Sequence, residues 1–163
     1  MLTGPNKTLN LEKSKREILE IILHCSATAE GKDFHAKDID RWHRNKGWDC
    51  IGYNYVVDLD GTIEIGRHIN KIGAHTVGHN QKSIGICYIG GLASDGKTAK
   101  DTRTEAQITA MHELVDELKK LYPRAFVFCH NQFDNKACPS FKMDKWDSEF
   151  VKHETDHIQK ISL

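Results

Sequence analysis

A chain of 163 residues has the length of one domain and can bury a core without disulfide or metal staples. Lys plus Arg and Asp plus Glu both total 23, so the formal charge is zero, and no block of basic residues offers the face a nucleic-acid partner needs. The five cysteines, Cys25, Cys50, Cys87, Cys129 and Cys138, are odd in number and too widely spaced for a small disulfide scaffold, which predicts reduced thiols.

The opening MLTGPNKTLNLEKSKREILE is polar and charged, with no apolar signal core and no small-residue cleavage site. No uncharged apolar run is long enough to span a bilayer. The expectation is cytoplasmic synthesis without a signal peptide, so that any target beyond the membrane is reached after release or export.

Ile18 to Cys25 is an apolar run of strand length that ends at His24 and Ser26. Asp38 to Lys46 carries Ile39, Trp42 and His43 at helical spacing and stops at Gly47. Tyr53 to Asp58 and Thr62 to Gly66 flank LDGT, where an Asp-Gly pair between alternating apolar residues signals a hairpin. Ser83 to Ile89 reads as a buried strand closed by Gly90 and Gly91, and the polar stretch from Ser94 to Thr104 as a loop. Thr104 and Gln107 match a capping box, after which Ile108, Met111, Leu114, Val115, Leu118 and Leu121 recur at helical spacing until Pro123 breaks the helix. Ala125 to Cys129 forms a last strand that delivers His130. This order predicts an α/β fold: a single-domain mixed β-sheet with helices packed on its faces. The expected organisation is one domain over residues 1–163, with a core of about 18–145, polar extensions at both ends, and a monomeric state.

Two short stretches at opposite ends of the chain, HCSAT from His24 and HNQFDNKACPSF from His130, look like halves of one metal site. They offer two imidazoles and one thiolate, His24, His130 and Cys138. A catalytic zinc takes three such ligands and keeps a fourth position for water, whereas a structural zinc fills all four with protein. Alternation along the strands puts His24 and His130 on one face and Cys25 and Cys129 on the other. Cys25, Cys87 and Cys129 then read as small buried hydrophobes.

These stretches, with RWHRNKGWDCIGYNYVVDLDGTIEIGR and IGAHTVGHNQKSIGICYIGG between them, resemble the zinc-dependent N-acetylmuramoyl-L-alanine amidases of the type-2 family, including the small phage lysozymes and, more loosely, the peptidoglycan recognition proteins. The resemblance runs from about Ile21 to Met143. It implies the amidase/peptidoglycan-recognition-protein fold, one zinc ion per chain on His24, His130 and Cys138, and active-site roles for Tyr53 and Lys136. It also implies that His75 lines the cleft. The reaction implied is hydrolysis of the amide between N-acetylmuramic acid and L-alanine of peptidoglycan by a zinc-bound water. A non-catalytic peptidoglycan-binding module of the same fold is the alternative; in the recognition proteins loss of the cysteine ligand marks that state, and Cys138 is present here. Asn54 and Asn131 stand where relatives carry histidine, which touches the cleft contacts and no ligand.

Lys136, two residues before Cys138, suits stabilisation of a developing oxyanion, with a surface salt bridge as the plainer role. Tyr53 has an ordinary phenol that titrates near pH 10, so a hydrogen-bonding role is favoured over that of a base. Trp48 reads equally as a substrate-binding cleft wall or a core residue. His35, His43, His68, His79 and His112 read as surface or supporting residues. Residues 153–157, HETDH, match HExxH literally but have no downstream third ligand and sit in a polar stretch, so a chance match is expected.

Overall fold

The computed structural model describes residues 1–149, and HETDH lies outside the described residues. Strands β1 (Glu20–Cys25), β3 (Tyr55–Val57), β4 (Ile63–Ile65), β5 (Ser83–Tyr88) and β7 (Phe126–Cys129) form one sheet in the order β4-β3-β5-β1-β7. β1 pairs in parallel with β5 and β7, β3 pairs in parallel with β5, and the β3–β4 hairpin supplies the antiparallel edge. A central strand flanked on both edges and covered on both faces must be apolar throughout, which is why the run Ile21–Ile22–Leu23 shows no alternation in polarity.

The two faces separate by strand parity. Ile21, Leu23, Ile84, Ile86 and Tyr88 pack with Met111, Leu114 and Leu118 of helix α2 (Glu105–Leu121). Val56, Cys87 and Ile89 pack on the other face with Ile39 of helix α1 (Ala36–Asn45). His24 lies opposite Cys87 in the parallel register, so it belongs to the α1 face. Helix α2 starts at the capping box: the Gln107 backbone N–H donates to Thr104 Oγ1 at 3.0 Å and Thr104 N–H donates to Gln107 Oε1 at 2.9 Å. The buried Gln107 side chain has a second task, donating to the carbonyls of Val57 and Ile89 and so locking α2 to the ends of β3 and β5.

Three features depart from the expectation. The N-terminal segment is packed rather than extended: Leu2 joins the core, Asn6 bonds to Gly61 O and Ile63 N, and Ser14 N–H donates to the Tyr122 hydroxyl. Its apolar residues are isolated and follow no period, so nothing local marked them as core. Strands β2 (Thr28–Ala29) and β6 (Gly91–Leu92) form a small parallel pair, too short to leave a pattern. Residues 143–149 are helical, and the buried Trp146 stacks on the buried His112 with ring centroids 3.6 Å apart.

Candidate active site

The end of β1 presents His24, and β7 runs into a short 3-10 turn that begins with His130. The ligand atoms of His24, His130 and Cys138 all lie within 4.8 Å of one another, with Cys138 Sγ 3.7 Å from His24 Nδ1. The loop between His130 and Cys138 is held in place by its own polar contacts. Asn131 Nδ2 donates to Phe141 O at 2.8 Å, the Tyr88 hydroxyl donates to Pro139 O at 2.7 Å, and Ser140 Oγ donates to Gly91 O at 2.8 Å. Asn131 therefore works as a loop clip, and Asn54 as a pin between strands, accepting from Gly85 N and donating to Arg67 O.

The donor set fits a metal. His130 Nδ1 is buried and has no hydrogen-bond partner among the described residues, a costly state for a polar atom unless something occupies its lone pair. Burial, then His75, His130 and Lys136, pushes His24 well below the ordinary histidine range, and burial followed by Lys136 lowers His130. Both rings are thus neutral near pH 7, as ligands must be. The neighbouring Cys25 thiol, followed by burial, pushes the Cys138 thiol up, while Cys25 N–H donates to its sulfur at 3.3 Å. A divalent cation deprotonates a coordinating thiol outright, so loading this site releases a proton.

His75 has partners at both ring nitrogens. Its Nδ1 is 2.8 Å from His24 Nε2, and its Nε2 is 3.3 Å from Ser83 Oγ. A His24 ring that offers Nδ1 to a metal carries its proton on Nε2 and donates it to His75, which fixes the ring and its tautomer. Gly73 and Gly85 make room for this: a Cβ at either would come within 2.6 and 2.7 Å, respectively, of His75 Cδ2. Gly85→Ala is therefore expected to displace the His75 ring and weaken metal retention by about 10- to 100-fold, the usual cost of losing such an outer partner. Competition against a fluorescent zinc chelator measures this, and unchanged retention would dismiss the supporting role of His75.

Tyr53 lies against His24, with ring centroids 5.0 Å apart. Burial, then the cysteines Cys87, Cys138 and Cys25, pushes its phenol well above the ordinary range. Trp48 is 39% exposed and packs at 4.5 Å against His43, with Lys46 Nζ 5.6 Å over its ring, so it is a half-exposed residue and not a core one. Lys136 is exposed on the rim with Nζ 3.6 Å from Asp134 Oδ2, where its charge still reaches both His24 and His130.

His43, read from sequence as a surface or supporting residue, is buried on α1 between Trp48 and Tyr53 and accepts the Gly52 N–H at 2.9 Å. Its position four residues after Ile39 on the buried helix face was the signal available. Burial, then Lys46 and Arg67, lowers it to about 4, against an ordinary value of 6.5. Between those limits the unfolded chain takes up a proton that the fold refuses, so stability falls as pH drops through that window, by up to about 1.4 kcal/mol per pH unit for this group. Urea unfolding at pH 7, 6 and 5 is expected to show a shallower decline for His43→Asn than for the parent; identical slopes would clear His43 of responsibility.

Two converging imidazoles and a thiol at the strand ends of an α/β sheet, beside a partly buried tyrosine and a rim lysine, make a candidate metal site of the kind an amidase-type hydrolase uses. Residues 14–141 match the family model described as N-acetylmuramoyl-L-alanine amidase. The endolysin of Klebsiella phage KP32 is 36% identical over 143 residues, spanning 88% of this chain and 94% of that protein. Among solved structures, the N-acetylmuramoyl-L-alanine amidase LysC from Clostridium intestinale URNW aligns with a TM-score of 0.69 at 25% identity, covering 83% of this chain and 87% of that one. Drosophila PGRP-LB aligns with a TM-score of 0.65 at 27% identity, covering 80% and 79%. The chain belongs to the N-acetylmuramoyl-L-alanine amidase family and is an enzyme that hydrolyses peptidoglycan amide bonds.

Proposed function

We propose that the chain cleaves the amide joining the lactyl group of N-acetylmuramic acid to L-alanine of the stem peptide, with one zinc ion per chain held by His24, His130 and Cys138. The observation that carries the reading is the buried, unpartnered His130 Nδ1 converging with His24 and Cys138. A zinc ion on two neutral imidazoles and one thiolate retains a single positive charge, and supplies a Lewis acid and an acidified water. The protein does the rest. His75 holds the His24 ring, and Tyr53, whose phenol stays protonated, donates a hydrogen bond to the oxygen on which charge grows. Lys136 adds positive potential from the rim, while Trp48 and His75 line the approach for the substrate.

The binding-only alternative is disfavoured because the cysteine donor is present and close to its partners. By analogy with the phage endolysins among its relatives, the chain acts on the cell wall after release or export, and we take it to do so as a monomer. Digestion of purified murein with the zinc-loaded protein, followed by mass analysis, tests the reading. Intact stem peptides with a free L-alanine amine are expected; new reducing sugar ends in their place would refute it.

A further inference from the structure

A second cluster stands apart from the three proposed zinc ligands and shares no residue with them: the ligand atoms of His35, Asp58 and Glu64 lie within 4.8 Å of one another. His35 precedes α1, Asp58 follows β3 in the hairpin turn, and Glu64 lies on β4. His35 Nδ1 is 3.1 Å from Asp58 Oδ2 and 3.7 Å from Glu64 Oε2, and its Nε2 is 3.4 Å from Asp33 Oδ1 at the exposed rim.

The key atom is Asp58 Oδ1. The Asp58 side chain is only 7% exposed, and Oδ1 receives no hydrogen bond from any described donor. The backbone of Asp58 cannot help its side chain, because its N–H and C=O are spent on Thr62 and Gly61 in the turn. Glu64 Oε2 already accepts the Ala36 N–H at 2.8 Å. A buried carboxylate oxygen left this way needs either a proton or a cation. Burial, with Glu64 next, pushes Asp58 up to about 7, so near neutral pH a proton there is readily displaced. The charges acting on His35 are those of Asp58, Asp33 and Glu64, and all are negative.

We propose that Asp58, Glu64 and His35, with Asp33 at the rim, form a second divalent-cation site that ties the start of α1 to the β3–β4 hairpin. One imidazole and two or three carboxylates make a hard-to-borderline donor set suited to Mn²⁺ or Zn²⁺, unlike the thiolate-containing set at His24. Binding displaces the proton carried by Asp58 and requires neutral His35, so affinity rises with pH. The half-buried His35 and Glu64 side chains leave the cluster open to solution. The consequence is mechanical: α1 carries His43 and β3 follows Tyr53, so the cation braces the tyrosine side of the active site.

Mn²⁺ titration followed by electron paramagnetic resonance tests this on the full chain, with and without one prior equivalent of zinc. Mn²⁺ binds thiolate sites poorly, so the zinc site contributes little to the signal. The expected result is loss of the free six-line signal at one Mn²⁺ per chain in at least one of the two samples. Asp58→Asn and the less buried Glu64→Gln should each weaken that binding by about 10-fold or more, since removing a ligand costs at least as much as removing an outer partner. Circular dichroism identifies any variant that has failed to fold. A free signal of full intensity in both samples overturns the proposal and leaves the proton on Asp58 as the occupant. Binding that survives in folded Glu64→Gln and Asp58→Asn overturns it as well.

Discussion

Cys138→Ser is expected to keep its fold and lose its zinc, with metal affinity falling by roughly 100-fold or more and amidase turnover disappearing with it. The physical reason is that a serine hydroxyl does not ionise at neutral pH, so the site forfeits both its soft ligand and its one negative charge. The loop itself should survive, because Asn131, Pro139 and Ser140 hold it without the sulfur. Zinc content after dialysis and the far-ultraviolet spectrum decide the matter together. A variant that retains one zinc per chain would remove Cys138 from the ligand set, and with it the proposed catalytic centre.

Replacing Tyr53 by Phe should give the opposite pattern, full zinc content with turnover reduced by about 10²- to 10³-fold, the usual cost of removing one donor to a developing oxyanion. The ring stays, so the packing against His24 and His43 is preserved and only the hydroxyl is lost. The fall should appear in kcat rather than KM, because the bond strengthens as charge develops. Lys136→Ala should lose less, about 10-fold, and the parent rate should drop with added salt more than that of the variant, since an exposed ammonium on the rim is screened. Unchanged kcat in Tyr53→Phe would reduce the tyrosine to a packing residue.

Much of this was legible in the linear chain. The apolar runs of β1 and β5, the Asp-Gly turn of the hairpin and the Thr104–Gln107 cap are local signals, and each appears within a few residues of where it was expected. The pairs His24–Cys25 and Cys129–His130 indicated which member of each would join the His24–His130–Cys138 cluster, because strand alternation is itself local. The second life of several residues was not legible. Gln107 caps a helix and also bonds two strand ends, His75 bonds the His24 ring, and His43, left between surface and supporting roles, is buried against Tyr53.

Sequence alone therefore determined the element types and the family, and singled out the candidate donors, since these depend on side-chain chemistry and short-range periodicity. Tertiary structure alone decided which histidine nitrogen stands unpartnered, which glycines clear space for His75, and that Asp58 is buried beside His35 and Glu64. Those facts arise from strand order and register, which bring together residues such as His24, His75 and Cys138 across gaps that no periodicity spans.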